Sequence, residues 1–176
     1  VLPAAEERAL IAECTARMAA EEGVAPRGWL SPWIAESAAT PDMLAEAGYR
    51  YTLNWCNDDQ PIWHRTAHGR LLAIPYPQEV NDIPAIAARK DGAAQFADMI
   101  VDDFEERLAQ CEDGIPQVMG IALHPYIIGQ PFRMRHLRRA LKHIVARREE
   151  IWVTTAGAIH DHVAAFLPGT IPGEPA

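Results

Sequence analysis

Short apolar segments of strand length alternate with longer amphipathic segments along this chain, and this alternation most limits how it can fold. Strands are predicted over residues 27–31, 49–54, 71–75, 118–123 and 151–154. Helices are predicted over residues 4–22, 91–110, 132–148 and 156–166, with a shorter one from Thr40 to Gly48. Strands that alternate with helices form parallel sheets. The pattern predicts an α/β fold, and polar residues after the strands favour a (β/α) barrel with its functional face at their carboxyl ends.

The apolar positions within two of these helices predict which side faces the core. In residues 4–22 the stripe contains Leu10, Ile11, Cys14 and Met18. In residues 132–148 the inward positions are Leu137, Leu141, Ile144 and Val145. Both sets follow the three- and four-residue spacing of an amphipathic helix. Residues 55–70, between two predicted strands, are predicted to form a long polar loop.

Length and charge narrow the class of protein. The 176 residues suffice for one domain, predicted over residues 1–167, with a flexible Pro/Gly-rich tail over 168–176. A net charge of −8 argues against nucleic acid as a partner. No apolar stretch approaches the ~20 residues of a membrane span. Three scattered cysteines predict reduced thiols and a cytoplasmic protein, and no glycine-rich nucleotide motif follows any strand.

His124 is the first candidate for chemistry. It ends an apolar run over residues 118–123 and is followed at once by Pro125 and Tyr126. An imidazole titrates near pH 6.5, so a histidine at the carboxyl edge of a sheet can act as a general acid or base. The alternative is a structural histidine that is hydrogen-bonded at the end of a strand.

Further polar residues follow the other predicted strands. Asp58 and Asp59 follow Trp55 and could bind a metal, orient a histidine, contact substrate, or only start a turn. Glu79, Asn81 and Asp82 could line a pocket or cap a turn. Two histidines four residues apart, His64 and His68, would suit a metal on a helix, but their segment is predicted as a polar turn between extended pieces. The basic stretch after residue 132 is predicted as a solvated helix face, with Arg133 as the exception.

Four segments, in this order, resemble the polysaccharide deacetylase (NodB-like) superfamily and its allantoinase-like branch in particular. They are RGWLSP at residues 27–32, NWCNDDQP at 54–61, IPYP with EVND at 74–82, and ALHPYIIGQPFR at 122–133. The resemblance implies the C-terminal part of a distorted (β/α) barrel. It also implies hydrolysis of a carbon–nitrogen bond, in an N-acetyl amide or a cyclic amide.

The resemblance also implies roles for particular residues. His124 matches the general acid, and the loop with Asp58 and Asp59 supplies carboxylates near that histidine. The side chains expected to bind substrate are Trp29, Ser31, Asn54, Trp55, Glu79, Asn81, Tyr126, Gln130 and Arg133.

The chain departs from the family pattern in two ways. Asn54 stands where the family usually has an aspartate, and an amide cannot raise the basicity of a histidine as a carboxylate does. The family's metal ligands, an Asp-Asp pair and a His-x-x-x-His, lie upstream of the segment that resembles residues 5–22. Zinc is therefore expected only in the intact protein, with no ligand in this chain.

Three functions remain open from the sequence. The first is deacetylation of a saccharide, and the second is ring opening of an allantoin-like cyclic amide. The third is a truncated, non-catalytic binding domain. The expected partners are a small-molecule or saccharide substrate and a second copy of the chain, with neither nucleic acid nor a membrane.

Overall fold

The structure is a computed structural model that describes residues 2–166 and 171–172. It divides into two compact units. The first contains the chain up to Pro75 together with the chain from Thr154 onward, and the second is Tyr76–Val153. None of the helices in the described residues is long and apolar enough to cross a membrane.

The first unit is built on a four-stranded sheet in the order β1-β2-β4-β3. The strands are β1 (Gly28–Trp29), β2 (Tyr51–Thr52), β3 (Ile62–Thr66) and β4 (Gly69–Ala73). β1, β2 and β4 are parallel, whereas β3 pairs antiparallel with β4 as a hairpin. The parallel strands confirm the predicted α/β pattern.

Three helices belong to the first unit: α1 (Ala4–Glu22), α2 (Thr40–Glu46) and α6 (Ala156–Ala164). α1 ends where predicted, at Gly23, which takes the left-handed conformation (φ 76°) that glycine adopts without strain. The core of this unit joins α1 and α2 to the sheet through Ile11, Met43, Leu44, Tyr49 and Leu71. α6 contacts the sheet through His160, whose ring lies against Tyr51 and Trp63.

The second unit contains α3 (Ala93–Glu112), α4 (Pro125–Ile128) and α5 (Pro131–Ala146), together with a π-helical turn, Ile83–Ala88. One side of α3 faces the core, where Phe96, Ile100 and Phe104 are buried. They share a core with Leu137 and Ala140 of α5. Burial of such large apolar side chains contributes about 1.5–3 kcal/mol each.

The strand predictions were wrong at three places. Residues 118–123 form no ladder, only one parallel bridge between Ala122 and Asn81. Residues 151–154 are not a strand, and Trp152 and Val153 are 58% and 66% exposed. An apolar run becomes a strand only beside a partner, and the described residues supply none there. The predicted loop over 55–70 contains β3, in which Trp63 is the one buried residue and polar residues follow it.

Two helix faces also differ from the prediction. In α1 only Ile11 is buried, whereas Leu10 and Met18 are each nearly half exposed. In α5, Leu141 and Val145 are exposed. In both cases only one edge of the apolar stripe meets the core. Most of the predicted tail over 168–176 lies outside the described residues; within its described part, the carbonyl of Pro172 accepts a hydrogen bond from the Trp63 N–H at 2.9 Å.

Candidate active site

His124 and Asp82 form the best-defined polar pair of the second unit. His124 Nδ1 lies 2.6 Å from Asp82 Oδ1, and the His124 backbone N–H donates to Asp82 Oδ2 at 2.8 Å. The Asp82 side chain is completely buried, whereas that of His124 is 30% exposed. The pair therefore joins a hidden carboxylate to an imidazole that solvent or a ligand can reach.

Local backbone structure brings these two residues together although 42 positions separate them. The Ala122 N–H donates to the Val80 carbonyl at 3.0 Å, and the Asp82 N–H donates to the Ala122 carbonyl at 3.2 Å. This parallel bridge sets Asp82 beside His124 where both extended segments end. His124 is also the N-cap residue of α4, whose first residue, Pro125, fixes the turn.

The geometry determines which ring nitrogen of His124 can do chemistry. A carboxylate can only accept at this contact, so the His124 ring carries a proton on Nδ1. Nε2 is then the nitrogen that can exchange a proton with a substrate. Tyr126 lies against the imidazole, with 5.7 Å between the ring centroids. Burial, and then the charge of Asp82, raise the pKa of Tyr76, so this phenol stays protonated.

The other residues predicted in this unit have mixed surroundings. Glu79 and Gln130 are exposed, and Tyr126 is 69% exposed. Asn81 Oδ1 accepts from the Ile83 N–H at 3.0 Å, which is the turn-capping alternative. Arg133 Nη1 donates to the Ile127 carbonyl at 2.8 Å and thereby ties α5 to α4.

The first unit brings together four of the residues predicted to bind substrate. Trp29 Nε1 donates to Ser31 Oγ at 2.7 Å, and the Ser31 N–H donates to Asn54 Oδ1 at 2.8 Å. Asn54 Nδ2 donates to Ser31 Oγ at 3.0 Å and to Glu36 Oε2 at 2.6 Å. Trp55 Nε1 donates to Glu36 Oε1. Because both Nδ2 protons of the buried Asn54 are used, this side chain acts mainly as a clamp within the network.

The two aspartates predicted to be catalytic also lie in the first unit, after β2. Asp58 Oδ1 accepts from the Asp59 N–H at 2.7 Å, the pattern of an aspartate that starts a turn. Nearby, Asn57 Nδ2 lies 2.6 Å from His64 Nε2, and burial lowers the pKa of His64. The catalytic role of Asp58 and Asp59 stays a prediction, and the carboxylate bonded to His124 is Asp82.

Two residues of these networks were missed as site residues. The sequence predicts for Asp82 either a pocket residue or a turn cap. Its place directly after Val80 and Asn81, at the end of an extended segment, is the signal that favours a site residue. Glu36 had no signal, because a single glutamate in a polar segment is ordinary. Its importance comes only from its contacts with Asn54 and Trp55.

The described residues do not fit a metal centre. Across residues 2–166 and 171–172, no three His, Cys, Asp or Glu side chains are grouped so that they could hold an ion. Zinc, which the family resemblance implies, has no ligand set among them.

The fold agrees with what comparisons of this chain with known proteins find. No protein-family model matches it. It is 32% identical over 122 residues to a protein of Schizosaccharomyces pombe whose name assigns it to the polysaccharide deacetylases. That match covers 64% of this chain and 38% of the relative.

Two solved structures are similar in fold. The crystal structure of Puue allantoinase matches with a TM-score of 0.86 and 25% identity, over 96% of this chain and 56% of that one. A polysaccharide deacetylase structure from Pseudomonas aeruginosa matches with a TM-score of 0.81 and 26% identity, over 92% and 54%. The chain thus spans about half the length of these structures.

The chain therefore has the fold of about half of a (β/α) barrel of the deacetylase and allantoinase type. They also confirm the resemblance predicted from its motifs. The chain is similar, in sequence and in fold, to polysaccharide deacetylases and to an allantoinase.

Proposed function

We propose that this chain forms the general-acid side of a hydrolase that cleaves carbon–nitrogen bonds. The single observation that carries the proposal is the buried Asp82 at 2.6 Å from Nδ1 of the accessible His124. A structural histidine at the end of a strand needs one hydrogen-bond partner. Here the carboxylate contacts both the ring and the backbone of His124, and it thereby fixes the orientation of the imidazole.

In the proposed reaction His124 protonates the leaving group. Amide hydrolysis passes through a tetrahedral intermediate, whose nitrogen must be protonated before the carbon–nitrogen bond breaks. Nε2 of His124 donates that proton, and Asp82 holds the ring in place through Nδ1. Activation of the attacking water is not assigned to any residue of this chain.

The substrate belongs to the same proposal. An N-acetylated saccharide is favoured, because two of the similar proteins are named polysaccharide deacetylases; this would place the protein in carbohydrate metabolism. Ring opening of a cyclic amide is the second candidate, favoured by the TM-score of 0.86 with an allantoinase. A cytoplasmic location is proposed as well, since Cys14, Cys56 and Cys111, all within the described residues, form no disulfide.

The proposal is tested by replacing the acid in the full-length protein. His124→Gln should lower kcat/KM at least about 100-fold, on N-acetylglucosamine oligomers or on allantoin, because general acid catalysis contributes roughly that much. Acetate release and ring-opened product are measured separately, which distinguishes the two substrates.

The matched control is His68→Gln, because His68 is exposed in the turn between β3 and β4. It should keep wild-type activity with a similar thermal stability. Unchanged activity in His124→Gln would contradict the proposal and favour a non-catalytic binding domain.

A further inference from the structure

A cavity of about 240 Å³ opens in the first unit, beside the start of two strands. Arg50 directly precedes β2, and Arg70 is the second residue of β4, which runs parallel to β2. Both arginines therefore stand at the amino ends of their strands, whereas (β/α) barrels carry out catalysis at the carboxyl ends. The described residues that line the cavity are Tyr49, Arg50, Trp63, Arg70, His160 and Ala164. None of these six was predicted to bind substrate.

The side chains around this cavity are positive or neutral, and none of the six carries a carboxylate. Arg70 lies over the Trp63 ring, with 4.2 Å from its Cζ to the ring centroid. Arg65 stands directly opposite Arg70 in the register of β3 and β4, so another arginine shares this face of the sheet. A guanidinium donates hydrogen bonds, accepts none and stays charged. Arginines grouped in this way, in a chain of net charge −8, favour an anion as the occupant.

Trp63 adds a buried donor that lacks an acceptor. Its side chain is only 4% exposed, and its Nε1 has no hydrogen-bond partner within residues 2–166 and 171–172. The backbone N–H of the same residue is satisfied by the Pro172 carbonyl. An indole N–H can only donate, and leaving such a buried donor unpaired is costly. An oxygen atom of a bound anion would supply the acceptor that the described protein groups do not.

The remaining surroundings limit the size and charge of the ligand. The His160 ring meets the Trp63 ring edge-on, with 6.0 Å between the centroids, and both residues are buried. The nearby carboxylate of Asp161 is already paired with Arg27. The cavity is smaller than the roughly 300–1,000 Å³ of pockets for drug-sized ligands, so only a small molecule fits. We propose that this cavity binds a small oxyanion, a phosphate or a short dicarboxylate, through Arg50, Arg70 and the Trp63 indole N–H.

The proposal is tested by isothermal titration calorimetry on the full-length protein. Sodium phosphate and sodium succinate are titrated separately, with sodium chloride at the same ionic strength as the reference. At least one of the two oxyanions should bind at one site per chain and raise the melting temperature, because a ligand that binds only the folded state stabilises it. Tighter binding of phosphate would assign the site to a phosphoryl group, and tighter binding of succinate to a carboxylate ligand.

Two variants remove one anion contact each. Trp63→Phe keeps an aromatic ring but removes the N–H, and it should weaken binding about tenfold, as the loss of a hydrogen bond to a charged group does. Arg50→Gln removes one charge at an exposed position and should weaken binding by at least about tenfold. The matched control is Arg138→Gln, which removes the same charge from an exposed position of α5 in the other unit and should bind like the wild type.

Several results would overturn the proposal. One is that neither oxyanion binds more tightly than chloride, and another is wild-type affinity in Arg50→Gln. An equal loss in Arg138→Gln would show that the anions respond only to net charge. Thermal melts without anion establish that each variant is folded, and Arg50→Gln decides alone if Trp63→Phe is not. The site goes beyond the proposed hydrolase function, so His124→Gln should bind the anion like the wild type.

Discussion

Two hydrogen bonds from a single residue offset the cost of burying the Asp82 carboxylate. A carboxylate that is completely removed from water is costly unless its oxygens are bonded. One Asp82 oxygen accepts from the backbone N–H of His124 and the other faces the His124 ring. The same contacts that satisfy the buried charge therefore orient the proposed acid.

Asp82→Asn tests this dual role. The amide can still accept from the His124 N–H, but its NH₂ group would face Nδ1 and select the other ring tautomer. We expect kcat/KM to fall by about 10²–10⁴-fold, as when an orienting aspartate is lost from a catalytic triad.

The measurements are kcat/KM and the thermal stability of each variant. Asp102→Asn, on an exposed position of α3, serves as the control and should leave both unchanged. A loss of stability with an unchanged kcat/KM in Asp82→Asn would mean that Asp82 is only structural.

At the scale of elements, the pairing of β1 with β2 depends on a glycine. A Cβ added at Gly28 would lie 2.1 Å from Cε2 of Tyr51, which stands opposite it in the register. Such overlap forces the ring or the strand to move. We expect Gly28→Ala to lower the free energy of unfolding by about 1–3 kcal/mol, as measured by urea denaturation.

Gly157→Ala is the matched glycine control. The nearest atom to its added Cβ is Nη2 of Arg27, 3.2 Å away, which also donates to Asp161. Because this approach is much less close than that at Gly28, alanine should change stability by less than about 1 kcal/mol. Equal effects of the two substitutions would show that the close approach of Tyr51 to Gly28 does not limit packing.

Helices were predicted more accurately than strands because their signals are local. The start and end of α1 and the buried stripe of α3 follow from spacing and caps within one segment. The run over residues 118–123 has the composition of a strand, but a strand also needs a partner, which its own residues do not specify. β3 was missed because alternating polar residues resemble a loop when the other strand of the hairpin is not considered.

The candidate site followed the same rule. His124 was predictable, since an apolar run followed by His-Pro marks the end of an extended segment. Its pairing with Asp82 depends on a contact across 42 residues that no local pattern encodes. Glu36 contacts Asn54, which lies 18 positions further along the chain, and for the same reason no local pattern predicted this contact.

At the scale of the whole molecule, an ion pair joins distant parts of the chain within the first unit. Arg27 donates from Nη1 and Nη2 to the two oxygens of Asp161, at 2.8 and 3.2 Å, across 134 positions. Hydrogen bonds from Arg27 and then from His160 lower the pKa of Asp161 to about 2. The pair fastens α6 to the start of the sheet.

This ion pair makes a pH-dependent prediction. Because the folded pKa of Asp161 lies below its ordinary value of 3.8, its contribution to stability is present above that value and is lost as the pH falls toward about 2. Asp161→Asn should therefore unfold at lower urea than the wild type at pH 7, by a small amount because the pair is exposed.

Urea midpoints at pH 7 and near pH 2 provide the measurement, with Asp102→Asn as the control that changes neither. The difference between Asp161→Asn and the wild type should shrink at the lower pH. A difference that stays constant would show that the ion pair does not contribute to stability.

Self-association of the chain, which the sequence predicts, stays a prediction.

The bridge made by Glu36 also limits how this barrel edge can be redesigned. The loop after β1 and the loop after β2 share one carboxylate and one amide, those of Glu36 and Asn54. A graft that replaces only one loop would leave polar groups of the other loop without hydrogen-bond partners. New specificity would therefore have to be introduced by exchanging the two loops as a single cassette, with residues 31–36 and 54–55 moved together.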